Sequence, residues 1–193
     1  MTEEKQVAIS REPLIPSLED VQVDGDNYKS ISDSASTVVF PLPEGSGIFR
    51  LEVLNISNLQ EVGIIDSSAN LRKGQLPMDA GWEKMIYYGQ GGGVGHIGDN
   101  IKGNTEFKGQ GHHIAIELNM ESNPHTLTFF QNNVEQPNYI IGINTPVNFY
   151  VLLFKKDQCF QLTSIERILL PTAKHNTVGS RALEWGKEWK KDS

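Results

Sequence analysis

Cysteine is nearly missing from this 193-residue chain: Cys159 stands alone. No disulfide can form within it, and a reducing compartment is the simpler setting. Basic residues are also few, with 17 Lys and Arg against 24 Asp and Glu, a formal net charge of -7. That balance argues against nucleic acid and anionic membrane surfaces, both of which select Lys/Arg-rich faces. No apolar run approaches the ~18 residues that a membrane-spanning helix needs. The opening Met1-Thr2-Glu3-Glu4-Lys5 lacks the basic-then-apolar order of a signal peptide. These absences predict a cytoplasmic protein, with the nucleus as the other compartment they leave open.

A sustained 3.6-residue period is absent too, which disfavours alternating helices and strands. What is there reads as strands. Ile48–Leu54 alternates, with Phe49, Leu51 and Val53 on one side and Arg50 and Glu52 on the other. Further strands are predicted at Val38–Phe40, Val62–Ile65, Lys84–Tyr88, His113–Leu118, Thr126–Phe130, Tyr139–Ile141, Phe149–Phe154 and Cys159–Ile165. Gly, Pro, Asn and Asp fill the gaps, and short strands at this spacing predict an antiparallel two-sheet β-sandwich. Phe129 and Phe130 are adjacent, so only one can enter the core. Gly63 marks a close backbone approach or a bulge, and Asn132-Asn133 a turn with positive φ. The expected division is a polar lead-in over 1–37, with edge strands near Val21–Val23 and Tyr28–Ile31, a sandwich over 38–170, and a C-terminal arm over 171–193. Leu183, Trp185 and Trp189 in that arm either pack onto the sandwich or form an exposed arm that docks on a partner, in helical or extended form.

Signals for chemistry are weak. Glu117, Asn119 and Glu121 share one face of a predicted strand, but alternating polar residues are read first as its solvent side. His112 and His113 are adjacent and face opposite ways, and no His or Cys pair has the spacing of a zinc site. The run Gly89-Gln90-Gly91-Gly92-Gly93-Val94-Gly95 lacks the Lys-Ser/Thr of a phosphate loop and reads as a connector. Ser67-Ser68 lack a nucleophile elbow. No catalytic residue, metal or cofactor is expected.

Five segments carry a family resemblance. Gly47-Ile48-Phe49-Arg50-Leu51-Glu52-Val53 is similar to the early Gly-x-x-Tyr-Trp-Glu-Val strand of SPRY domains, and Glu61-Val62-Gly63-Ile64-Ile65 to the strand after it. Phe107 to Asn119 resembles the Phe-x-x-Gly-Asp-x-Ile-x-x-x-x-Leu-Asp stretch, with Gln110 and Asn119 in place of its Asp residues. Thr126 to Asn132 matches the strand ending Phe-x-x-Asn, and Pro146 to Val151 the entry to a late strand. Together they span roughly residues 38 to 168, and the order is the family's. The resemblance implies a concanavalin A-like jelly roll with irregular terminal arms, of the B30.2/SPRY type. It also implies a non-enzymatic adaptor or scaffold that binds another protein or peptide through loops at one end of the sandwich.

By position those loops are Val39–Ser46, Asp66–Met78 and the turn Phe154–Asp157. Their candidate contacts are Pro41, Pro43, Asp66, Asn70, Arg72, Lys73, Phe154, Lys155 and Lys156. The four cations among them would suit an acidic peptide. Two other functions stay open. One is lectin-like carbohydrate binding with Trp82, Tyr87 and Tyr88 as its aromatics, although no Asp-rich calcium loop is present. The other is a structural role within a larger complex.

Overall fold

The computed structural model describes residues 9–192. The chain enters with β1 (Val21–Asp24) and β2 (Asn27–Ser30), then runs through β3 (Ser36–Phe40), β4 (Ile48–Ser57) and β5 (Glu61–Asp66). Two short 3₁₀ turns, Pro77–Ala80 and Trp82–Lys84, lead into β6 (Met85–Gly89), β7 (Val94–Gly95) and β8 (Ile97–Gly98). Next come β9 (His113–Asn119), β10 (Thr126–Gln131), β11 (Val134–Glu135), β12 (Asn138–Ile141), β13 (Val147–Leu153) and β14 (Cys159–Ile168). The last two strands are β15 (Arg181–Glu184) and β16 (Glu188–Trp189).

Two sheets face each other, as the strand spacing predicts. The larger runs β1-β2-β14-β4-β9-β10-β12-β15, with β11 also paired to β10; the smaller runs β3-β13-β5-β6-β7. Their pairings are antiparallel except where β15 joins β12, and β16 pairs with β8 in a separate parallel ribbon. The C-terminal arm is therefore extended and docked. Leu183, Trp185 and Trp189 are buried in the main core, which removes the exposed-arm reading.

That core lies between the sheets. Phe49, Leu51 and Val53 of β4 meet Val38 and Phe40 of β3, Val62 and Ile64 of β5, and Phe149 and Val151 of β13. Tyr28 stacks on Phe160 with ring centroids 4.8 Å apart, which ties the first hairpin to β14. Phe129 faces inward, whereas Phe130 lies on the outer face of the larger sheet beneath the Arg50 guanidinium, 4.4 Å from its ring centroid. The β10–β11 hairpin turns through Asn132 and Asn133, both at positive φ, the conformation that Asn tolerates.

A second apolar cluster covers the outer face of the smaller sheet. Ile65, Met85, Tyr150 and Leu152 are buried there beneath Leu71, Leu76 and Ala80 of the loop between β5 and β6. Gly63 sits where β5 and β6 come closest: a Cβ would stand 1.8 Å from the Ile86 carbonyl oxygen. No larger residue fits without moving the sheet.

Candidate functional site

The smaller sheet sets the geometry of the loops. Phe40 pairs with Phe149 at one end of β13, and Ser36 with Leu153 at the other. Seven residues of strand place about 20 Å between those ends. The sequence-predicted contacts divide accordingly. Pro41 and Pro43 follow Phe40, and Asp66, paired with Val147, lies at the same end. Phe154, Lys155 and Lys156 leave β13 at the far end.

The loop after β5 links the two ends. It starts at Asp66, whose carboxylate accepts bonds from the Ser68 N–H and the Thr145 hydroxyl, and crosses the outer face of the sheet. Asn70 is exposed on the way. The Gly74 N–H then bonds the Ala35 carbonyl, which brings Arg72, Lys73 and Gly74 toward the Phe154 end. There Asp33, Ser34, Gly74, Leu76, Phe154 and Lys155 line a shallow depression. The basic patch and the two prolines are therefore on different ends of the molecule.

The patch is also less positive than its letters imply. Lys73 pairs with Glu19 at 3.3 Å and Asp20 at 3.5 Å. Asp157 pairs with Lys29, and Asp33 accepts a bond from the Lys156 N–H. The Ser32 hydroxyl bond holds the Asp20 carboxyl below its usual value, aided by Lys73 and opposed by desolvation. Four carboxylates, those of Glu19, Asp20, Asp33 and Asp157, thus interleave with the lysines where the sequence shows only the cations.

The Pro41–Pro43 end carries a groove of about 960 Å³ between the edges of the two sheets. Its floor is apolar: Phe49 and Leu118 from the larger sheet, Val147 from the smaller, Ile143 between them. The walls are the β3–β4 loop with Pro41, Leu42 and Pro43, and the β9–β10 loop with Met120 and Pro124. Polar groups ring the opening, including Ser46, Asn144 and Thr145, with the carboxylates of Glu44 and Glu121. Asn148 fixes one wall by accepting the Leu42 N–H, and His125 another through the Ile143 carbonyl. Sequence reasoning found the prolines but missed Met120, Ile143 and Val147. The one available signal was the run of Gly, Asn, Thr and Pro between β12 and β13, which marks a loop at the same end as Pro41.

The acidic face of β9 is not the solvent face that its alternation suggests. Glu117 is fully buried, 3.2 Å from Arg50, and accepts the N–H groups of Thr172 and Ala173 as well as the Thr172 hydroxyl. The segment after β14 crosses the outer face of the larger sheet and is buckled there. Glu135 provides a second buckle by accepting the Lys174 and His175 N–H groups, while His175 stacks on Tyr139. With both oxygens of Glu117 taken up by protein donors, it has the role of a fastener, not of a general acid. Asn119 caps the following turn by accepting the N–H groups of Glu121 and Ser122.

The histidines are structural in the same way. His113 lies 3.3 Å from Glu52, and His112 bonds Gln131. His96 is buried between Trp185 and Trp189. Its Nε2 accepts the Gly186 N–H at 2.9 Å, so the ring proton is on Nδ1, which donates to the Met85 carbonyl at 2.7 Å. Among the described residues, no three His, Cys, Asp or Glu side chains converge as metal ligands.

The fold matches solved SPRY structures. The SPRY domain of human HERC1 superposes with a TM-score of 0.56 at 14% identity, over 80% of this chain and 99% of that one. The PSpry domain of TRIM65 gives 0.60 at 13% identity, over 80% and 91%. A galectin of Caenorhabditis elegans, LEC-6, aligns at a TM-score of only 0.34 with 12% identity, over 77% of this chain and 99% of its own. No family model and no curated protein matches the sequence. The chain thus has the SPRY-type β-sandwich fold that its five segments resemble.

Proposed function

We propose that this chain is a non-enzymatic protein-recognition module, an adaptor or scaffold of the cytoplasm, whose partner inserts an apolar segment into the groove at the Pro41–Pro43 end. The observation that carries this reading is the groove itself. Loops from both sheets converge on it, its floor is apolar, and its rim offers amides, hydroxyls and carboxylates that would fix a peptide backbone. Glu121 on that rim is already paired with Arg167 at 3.6 Å, so Glu44 is the rim carboxylate that favours a partner segment with basic residues beside its apolar ones. The far end suits an acidic peptide less well, because Lys73 is already paired and acidic residues stand among the other cations.

Affinity purification with mass spectrometry would supply a partner, and the purified pair would then be measured directly. Met120→Arg places a charge in the groove wall at a half-buried position. It should weaken binding more than tenfold, about 1.4 kcal/mol, while leaving the melting temperature close to that of the wild type. The double change Arg72→Glu with Lys155→Glu should leave affinity within about twofold. If the double change abolishes binding and Met120→Arg does not, the partner docks at the basic end. The purified protein should hydrolyse neither β-glucans nor model esters.

A further inference from the structure

We infer that a second, smaller site lies at the opposite end of the smaller sheet from the groove and takes a neutral, hydroxyl-rich ring, the size of one sugar unit. It is independent of the groove reading. The cavity is about 270 Å³ and opens beside the Gly89–Gly93 turn that joins β6 to β7. That is just below the ~300–1,000 Å³ of pockets for drug-sized ligands, so it fits a single ring.

The glycine run that resembles a mere connector in sequence shapes this cavity. A Cβ on Gly93 would stand 2.3 Å from the Asn100 side-chain oxygen, and one on Gly95 would stand 2.1 Å from the Tyr87 ring. Side chains at these positions would displace two of the groups that line the cavity. Asn100 donates its amide to the Tyr87 hydroxyl at 2.6 Å, which leaves its carbonyl oxygen unused. Gln90 donates to Gln60 at 3.1 Å, leaving the Gln60 amide hydrogens and the Gln90 oxygen unused. Trp82, 42% exposed, stands on the rim with its ring 6.4 Å from that of Tyr87. Tyr88, the third aromatic of the sequence-level expectation, faces the core instead and plays no part.

The charge pattern selects against ions. Glu61 and Lys102 both line the cavity, so carboxyl and ammonium offset one another. Lys102 is held by the Gly91 carbonyl at 3.0 Å. Glu61 is buried and receives one bond, from the Tyr150 hydroxyl at 3.0 Å. Burial pushes its carboxyl up to about 7, so near neutrality its ionised form offsets Lys102 while its protonated form donates as well as accepts. Hydroxyl groups are likewise donors and acceptors at once, and the C–H face of a sugar ring packs on an indole. Unused amide donors, unused amide acceptors and one exposed indole in a cavity of balanced charge are the complement of such a ring.

Isotope-labelled full-length protein, titrated into the millimolar range with methyl glycosides of glucose, galactose, mannose and N-acetylglucosamine, tests this by the tryptophan indole resonances. At least one sugar should shift the Trp82 resonance saturably and leave those of Trp185 and Trp189 in place. Trp82→Ala and Asn100→Ala should each weaken binding about tenfold or more, while Glu61→Gln, which keeps a donor and an acceptor, should stay within about threefold. If no sugar shifts Trp82, the inference fails. It also fails if arginine amide or lysine amide saturates the same resonance and Glu61→Gln abolishes that response, since the cavity is then a cation pocket. Neither outcome bears on the groove, which Met120→Arg tests alone.

Discussion

Glu117, within β9, and Glu61, the first residue of β5, are both buried carboxyls on different sheets, and they are treated in opposite ways. Glu117 has a guanidinium, two backbone N–H groups and a hydroxyl around it. Glu61 has one phenolic hydroxyl and a cavity. The first is what a buried charge needs to be tolerated; the second is left with capacity that the protein itself does not use. The difference separates an acidic residue that holds the fold together from one that the fold merely accommodates, and neighbouring residues in the sequence distinguish neither.

The sharpest way to break the comparison is Glu117→Ala. It strips the crossing segment of its buckle and leaves Arg50 without its carboxylate. Urea denaturation should show a loss of about 3–5 kcal/mol, the range for removing one partner of a buried pair. A loss below about 1 kcal/mol would mean that the segment is held by other contacts. Glu61→Gln should do the reverse. The carboxyl titrates near 7 when folded and near the usual 4.5 when unfolded, so the native state binds more protons between those values. Its contribution is greatest below pH 4.5 and is lost as pH rises toward 7. At pH 8 the Gln variant should therefore be more stable than the wild type, by on the order of 1–3 kcal/mol, and should lack this slope.

His96 sharpens the same contrast with the opposite sign. Burial holds its imidazole below the ordinary 6.5, against the pull of the Met85 and Trp82 carbonyls and of Glu83. The unfolded chain takes up the proton first, so stability is complete above about pH 6.5 and is lost as pH falls below it. Protonation would also turn Nε2 from the acceptor of the Gly186 N–H into a donor facing it. His96→Phe keeps the stacking, loses both hydrogen bonds, and should cost roughly 1–3 kcal/mol at pH 7.5. It should also flatten the acid limb of the Trp185 and Trp189 fluorescence. Measuring each variant in the background of the other isolates the two slopes. The smallest effect belongs to Arg72→Glu with Lys155→Glu, exposed charges whose replacement should move stability by no more than about 0.5 kcal/mol each.

What the sequence discloses follows from what is local. Alternation in Ile48–Leu54 and the apolar run of Val62–Ile65 place β4 and β5 within a few residues, because side-chain period and turn chemistry are written nearby. β15 and β16 are not legible in that way. Arg181-Ala182-Leu183-Glu184 has no β-branched residue, and it becomes a strand only because β12 offers it an edge. Glu117 reads as solvent-facing because the segment that covers it arrives 55 residues later in the chain. The basic loops read as a patch for the same reason: Lys73 finds its carboxylates at Glu19 and Asp20, more than 50 residues before it. The groove was half legible, since prolines announce a loop but not the opposing wall.

The pairing of β4 with β14 has a kinetic consequence. Ile48 meets Ile168 and Leu51 meets Ile165, so the centre of the larger sheet cannot zip until more than a hundred intervening residues have been gathered in. The first hairpin waits for the same event, since Lys29 pairs with Cys159. Loop-closure entropy of that size must be overcome before any of these contacts repays it, which places folding on the scale of about milliseconds to seconds. Throughout that interval β4 has one edge unpaired and rich in apolar side chains. Crowded solutions of the unfolded chain should therefore lose material to edge-to-edge association, and dilution should recover it.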